Sequence, residues 1–216
     1  MPRLLENPIE YLLNLLNAKT NRMVIGLAGF PGSGKTTITQ TWATQINQLV
    51  GAGTAIALSM DGFHFSKAQL RQMPDPEKAF ARRGAHWTFD AVGFSQKVRA
   101  LKNAGKEKTV FWPAFEHEIG DPVNDAIEVL PICRIAFVEG LYLLYRQGEW
   151  QTLEGAFEEI WFLDTPMETS IARLIRRHQQ AWDFTEEQAR QRVESSDYKN
   201  ALLVASTRDR ADWLVV

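Results

Sequence analysis

The stretch that decides the fold is MVIGLAGFPGSGKTT, residues 23–37. Residues 23–29 are an apolar run that ends on a glycine, the pattern of a buried strand. The run from Gly29 to Thr36, GFPGSGKT, then fits the spacing G-x-x-x-x-G-K-[ST]. Residues 35–50 follow as a helix, with Ile38, Trp42 and Ile46 on one face. A strand running through a glycine loop into a helix is the context this motif requires. The glycines let the backbone curl so that successive N–H groups face phosphate oxygens, and the helix N-terminus adds the positive end of its dipole. Lys35 is suited to neutralising the outer phosphates, and the Thr36 hydroxyl to ligating Mg²⁺. The expected nucleotide-holding set is Gly29, Phe30, Pro31, Gly32, Ser33, Gly34, Lys35, Thr36 and Thr37. Such a loop holds a nucleoside triphosphate, but it leaves open whether the terminal phosphate is hydrolysed or handed on.

Working outward, apolar strand-like runs at 54–60, 134–140, 159–164 and 212–216 alternate with helical patterns. One of these patterns, 89–105, closes at Gly105 as its C-terminal cap. Continuous apolar strands between helices predict an α/β fold, a parallel sheet covered on both faces. Ligands on such sheets bind at the carboxyl ends of the strands. The glycine loop, Asp61 and Glu139 all fall at those ends. Asp61, in SMDGFHF, reads either as a general base or metal-side group, or as an Asp capping the turn at Gly62. Glu139, after IAFV, reads either as the group that orients Mg²⁺ or its water, or as an exposed strand-end carboxylate.

Composition limits the alternatives. The 216 residues are 45% hydrophobic, enough for one medium domain, 1–216, with a full core. The net charge of −2 lacks the basic excess of a nucleic-acid binder. The single cysteine, Cys133, lies in an apolar run and reads as a small core residue in a chain suited to the reducing cytoplasm. Leu4, Leu5, Ile9, Leu12, Leu13 and Leu16 recur at helical spacing, which predicts an amphipathic helix over 1–20 lying on the domain. Glu6 and Glu10 interrupt it as a signal sequence. The most apolar region, 129–145, carries Arg134 and Glu139 and is too interrupted for a membrane span. The four histidines are scattered without metal-ligand spacing.

Arg173, Arg176 and Arg177 lie at i, i+3 and i+4 of a helical pattern whose apolar side is Met167, Ile171, Leu174 and Ile175. They read either as a clamp on a transferring phosphoryl group or as a basic exposed surface. Residues 111–123, FWPAFEHEIGDPV, are non-periodic and read as a structured loop shaping a pocket. In ARRGAHWTFD, residues 81–90, Arg82, Arg83 and His86 are available to an anionic or polyhydroxyl ligand.

The order of these parts resembles a known family. A P-loop near the N-terminus, Asp-Gly-Phe after the second strand, a Pro-aromatic-x-His loop and a Val-Glu-Gly strand end occur together in the phosphoribulokinase, uridine kinase and bacterial pantothenate kinase family of P-loop kinases. The resemblance runs from about residue 22 to 216. It implies a P-loop kinase fold with a small helical lid at about 168–195, and ATP and Mg²⁺ as ligands. It further implies Asp61 as the base, Glu139 with Thr36 at the metal, and Lys35, Arg173, Arg176 and Arg177 on the phosphates, Arg176 with the ATP. Phe115 and His117 fall in the loop that contacts the acceptor; with His64, Arg83 and Asp121 they make up the acceptor-side candidates. DGFHFSKAQL is nearest the pantothenate kinase form, yet the chain is shorter than those kinases. RRGAHWTFD and EHEIGDPV resemble instead the branch named uridine kinase-like or fructose transport system kinase-like.

The reading that follows is a kinase for a small molecule bearing a hydroxyl group, with a uridine or cytidine kinase as its narrower form. A switch NTPase bound to a protein partner is the alternative of another class, but the Asn-Lys-x-Asp motif of a GTPase is missing. No membrane or nucleic-acid partner is expected. The oligomeric state is left open, with a homodimer as one option.

Overall fold

A computed structural model describes residues 1–105, 107–116 and 118–216. The chain opens with a two-residue strand β1 (Arg3–Leu4) and helix α1 (Pro8–Ala18), then β2 (Met23–Gly29), α2 (Lys35–Val50) and β3 (Ala55–Ser59). A 3₁₀ turn over Met60–Phe63 leads to two short helices, α3 (Lys67–Arg71) and α4 (Pro76–Ala81), and to α5 (Ala91–Asn103). Next come β4 (Val110–Glu116), β5 (Asp121–Val129), β6 (Ile135–Gly140) and β7 (Glu159–Leu163). The last part is α6 (Met167–Trp182), α7 (Glu186–Arg192), a π-helical turn over Val193–Asp197, α8 (Tyr198–Ala205) and β8 (Trp213–Val215).

Six strands form one sheet in the order β1-β8-β7-β2-β6-β3, every pair parallel. Alternate residues of the central strands enter different cores, because successive side chains of a strand point to opposite faces. Val24, Ala28, Ala136 and Val138 pack with Phe94, Val98, Leu101, Trp112 and Val204 of α5, β4 and α8. Ile25, Leu27, Ile135 and Phe137 pack with Leu12, Leu16, Trp42 and Ile46 of α1 and α2. A sheet buried on both faces is why these strands read as unbroken apolar runs. Cys133 is buried as expected, and burial pushes its thiol up to about 11.

The N-terminal helix is shorter than its leucine pattern suggested. Pro8 starts it at the first helical position, where its fixed φ suits the helix. Leu4 instead pairs with Leu214 in β1 and is half exposed.

Residues 111–116 and 121–123 are strands and not a loop. They form most of an antiparallel pair, β4 with β5, apart from the main sheet. Pro113 and Pro122 each remove a ladder donor, which argues against a strand in the sequence. Here β4 has no second strand partner among the described residues, and its register shifts between Trp112 and Ala114, so Pro113 sits where a donor is not needed. Among the described residues no helix is long and apolar enough to cross a membrane.

Candidate active site

The sheet topology builds the site. β2 lies between β6 and β7, so the chain leaves β2 at a point where its neighbours are reached in opposite directions. Such switch points open a crevice beyond the strand ends. In register, Glu139 of β6 stands beside Leu27 of β2 and Ser59 of β3. The glycine loop therefore begins two residues past Glu139 on one side, and Asp61 follows two residues past it on the other.

A cavity of about 400 Å³ opens there. It is lined by Gly32, Gly34, Lys35, Thr36 and Thr37, by Asp61 and Glu139, and by Arg173 and Arg177. A larger cavity, about 860 Å³, opens beside Lys19, Arg22, Lys102 and Glu158 at the start of β2. It lies at the other end of the strands, away from these groups.

Lys35 is the first buried residue of α2, and its ammonium donates to the carbonyls of Gly29 (3.1 Å) and Phe30 (2.8 Å). Burial pushes Lys35 below its ordinary value; Glu139 and Asp61 pull it back up, and Arg177 pushes it further down. Glu139 is buried and accepts a hydrogen bond from the Thr36 hydroxyl at 2.9 Å. Burial, with a contribution from Asp61, pushes its carboxyl above the ordinary range against the opposing pull of Lys35 and of hydrogen bonds from Thr36 and Ser59. A hydroxyl and a carboxylate oxygen held this close are a hard-oxygen donor pair, the type that suits Mg²⁺.

The glycine loop is closed from above by α6. Gly32 has φ +77°, and a Cβ there would meet the Ser170 carbonyl at 2.5 Å and Leu174 at 2.8 Å. Only glycine tolerates both the left-handed backbone and that approach. Arg173 donates to the Ser33 carbonyl at 2.9 Å, and Thr165 donates to the same oxygen at 3.0 Å. Arg173 and Arg177, one helical turn apart, line the cavity; Arg176 is exposed and is not among the lining residues.

Asp61 sits in the 3₁₀ turn, where its N–H donates to the Ser59 hydroxyl at 3.1 Å. The His64 Nδ1–H donates to the Asp61 carbonyl at 2.8 Å, and the His64 ring lies 4.0 Å from Phe89 and 4.9 Å from Phe115. The remaining acceptor-side candidates gather on the hairpin side of this turn. Arg83 donates to the carbonyls of Gly120 (2.5 Å) and Phe65 (2.9 Å) and to Asp121 (2.9 Å). Burial favours a neutral Asp121, but the Lys67 N–H and Arg83 outweigh it and hold the carboxyl below the usual range. His64, Arg83, Phe115 and Asp121 thus brace the turn that carries Asp61 and do not line the cavity. His117 lies outside the described residues. Among the described residues no three His, Cys, Asp or Glu gather as a metal cluster.

Comparison with known proteins identifies the family. The model of the Phosphoribulokinase / Uridine kinase family matches residues 24–215. The chain belongs to this family of P-loop kinases. Within it, a Schizosaccharomyces pombe protein described as a candidate uridine kinase is 40% identical over 186 residues, covering 85% of this chain and 78% of that one. A solved structure described as a candidate fructose transport system kinase, from Silicibacter sp. TM1040, is 30% identical. It superposes with a TM-score of 0.83, covering 96% and 98% of the two chains. The Saccharomyces cerevisiae ATP-dependent kinase YFH7 has the same fold at 23% identity, also with a TM-score of 0.83, over 96% of each chain. Membership makes this chain an ATP-binding phosphotransferase of the kinase type.

Four cavity residues are not marked by the sequence: Gly84, Leu141, Asp197 and Asn200. Gly84 falls in the 81–90 segment and Leu141 follows the Val-Glu-Gly strand end, and neither carries a functional group of its own. Asp197 ends the π-turn and Asn200 lies in the first turn of α8; the helix changes phase before them, and no simple 3.6-residue periodicity marks them.

Proposed function

We propose that the chain transfers the γ-phosphate of Mg-ATP to an alcohol hydroxyl of a small molecule, with Asp61 as general base. The observation that supports this most is the sharing of one cavity by the glycine loop, Glu139, Asp61 and two arginines of α6. Hydrolysis needs only a water near the loop. Transfer needs a carboxylate facing a second substrate, and Asp61 is the residue suited to it.

In this reading the loop N–H groups and Lys35 hold the outer phosphates, while Arg173 and Arg177 neutralise the charge that spreads over the moving phosphoryl group. Thr36 and Glu139 would hold Mg²⁺, which would supply charge neutralisation for the phosphates. Asp61 accepts the proton of the acceptor hydroxyl as that oxygen bonds to the γ-phosphorus and the bond to the bridging oxygen breaks, releasing ADP. Helices α6 and α7 serve as the lid that keeps water out, so that the hydroxyl and not water is phosphorylated. Arg83, His64, Phe115 and Asp121 hold the Asp61 turn in place, and a nucleoside is the narrower acceptor to try early.

The test is ADP release by the full chain with Mg-ATP, alone and with nucleosides, sugars, glycerate or pantothenate. Slow release alone and turnover with one acceptor support the proposal; rapid release that no acceptor changes overturns it. Asp61→Asn is expected to lower kcat by about 10²–10⁴-fold, the range for loss of a general base, with little change in the KM for ATP. Full activity in that variant would remove Asp61 from the role.

A further inference from the structure

The phosphate chemistry leaves two polar residues of the cavity unused, Asp197 and Asn200. Asn200 is committed to structure. Its Oδ1 accepts from Arg82 at 3.1 Å, and its Nδ2 donates to the Gly84 carbonyl at 3.2 Å. The Tyr142 hydroxyl donates to the same carbonyl at 2.7 Å. These bonds clamp the start of α8 against the 82–84 turn, where Gly84 and Asn200 border the cavity.

Asp197 is arranged differently. One oxygen, Oδ2, is hydrogen-bonded by His178 Nε2 at 2.9 Å. The other has no hydrogen-bond partner among the described residues, although the residue borders the cavity. His178 is 4% exposed and stacks on Trp182, ring centres 4.6 Å apart and planes 11° apart. A buried, stacked imidazole fixes the carboxylate's orientation: one oxygen is tied back, and the other is left for a ligand. The π-turn that ends at Asp197 is the local device that brings it to this wall, since such bulges re-aim a side chain within a continuing helix.

We propose that Asp197 is a second acceptor-anchoring carboxylate, with His178 as its positioning residue. The inference rests on the kinase reading. Asp61 takes the proton of the hydroxyl that is phosphorylated, while the free oxygen of Asp197 accepts a hydrogen bond from another hydroxyl, or from an amine, of the same molecule. The acceptor class follows from the charges. The arginines that line the cavity, Arg173 and Arg177, are on α6, and Arg82, spent on Asn200, does not line it; the carboxylates left for an acceptor are Asp61 and Asp197. A carboxylate or phosphate on the acceptor meets two like charges there, whereas an uncharged polyol or an amino alcohol meets two hydrogen-bond acceptors. His178 shares α6 with Arg173 and Arg177, so the residue that orients the acceptor's anchor and the residues that face the phosphates move as one element.

The full chain is assayed with Mg-ATP against ribose, uridine, erythritol and serinol, and against glycerate, pantothenate and ribose 5-phosphate. The best uncharged or amino acceptor is expected to exceed the best anionic one by about a hundredfold or more in kcat/KM, the size of one well-placed hydrogen bond to a charged group plus the avoided repulsion. Asp197→Asn, which preserves shape, is expected to raise the acceptor KM about tenfold or more while the ATP KM stays within twofold; Asp197→Ser repeats the measurement with a smaller group. His178→Leu is expected to follow Asp197→Asn, and His178→Gln, which keeps a donor, to restore most of the loss. Thermal melts of each variant separate a folding defect from a binding defect. An anionic acceptor that outperforms the uncharged ones overturns the proposal, as does an acceptor KM that Asp197→Asn and Asp197→Ser leave unchanged. In both cases the kinase reading survives. ADP release that ignores every acceptor defeats the kinase reading and this proposal with it.

Discussion

At the scale of single residues, the site brings opposed charges to one place out of water and balances them against each other. Lys35 is pushed down by burial and Glu139 is pushed up, each partly restored by the other. Neither group is comfortable alone, and their mutual attraction keeps both charged forms within reach. Glu139→Gln tests this. The amide still accepts the Thr36 hydrogen bond but removes the charge that suits a divalent cation. The expected result is a rise of about tenfold or more in the Mg²⁺ concentration for half-maximal activity, the scale on which altered outer contacts weaken metal sites. An unchanged Mg²⁺ titration would take Glu139 away from the metal. Residue identity in this region was largely legible in the sequence, because the glycine spacing and the strand-end acids are tied to motif and topology. The arginines were legible only in part. Arg173 and Arg177 are four apart and line the cavity, while Arg176, on the same helix, is not among its lining residues.

At the scale of elements, legibility followed burial. β2, β6 and β7 are covered on both faces, so their sequences are continuous apolar runs whose bounds the reading found within a residue. β4 and β5 are a two-stranded appendage with an exposed side, interrupted by prolines, which is why 111–123 reads as a loop in the sequence. What joins this appendage to the site is contact with the Asp-Gly-Phe turn. The Trp112 indole donates to the Ser59 carbonyl at 2.9 Å, and Phe63 meets Trp112 with ring centres 5.1 Å apart. Gly62 is where backbone touches backbone: a Cβ there would stand 2.2 Å from the Pro113 carbonyl oxygen and 2.6 Å from its carbon. Gly62→Ala must therefore push the hairpin away from the turn or bend the turn itself. The expected cost is about 1–3 kcal/mol of stability, as for other overpacked contacts, with a fall in kcat because Asp61 is the adjoining residue. A thermal melt and a steady-state assay check both; a variant as stable and as active as the parent would mean that the hairpin does not support the base.

At the scale of the whole molecule, the N-terminal segment closes the edge of the sheet far from β3. The Leu5 N–H donates to the Leu214 carbonyl at 2.8 Å, and Arg3 lies over the Trp213 ring at 4.7 Å. The sequence announced a helix here but not the strand before it, because two residues are too few to show a period. α1 is tied down by Tyr11, whose ring centre lies 5.9 Å from Trp161 and 5.6 Å from Trp213 and whose hydroxyl donates to Glu159 at 2.6 Å. Trp161 holds the other carboxylate oxygen at 2.8 Å. Burial, and then the bond to Glu159, pushes the Tyr11 phenol up from 10.0 to about 12. The sign of the pH effect follows. Between these values the folded chain keeps a proton that the unfolded chain has released, so this part of the stability is complete below pH 10 and is lost as the pH rises towards 12. Tyr142 is shifted in the same direction, with burial as the chief cause, so the wild-type chain has at least two contributions to its alkaline loss. Tyr11→Phe keeps the aromatic packing and removes one of them. In urea melts at intervals from pH 8 to 11.5, its midpoint is expected to start below the wild type's and to fall less steeply above pH 10, so that the two curves converge. Parallel curves across that range would show that the Tyr11 hydroxyl does not fasten α1 to the sheet.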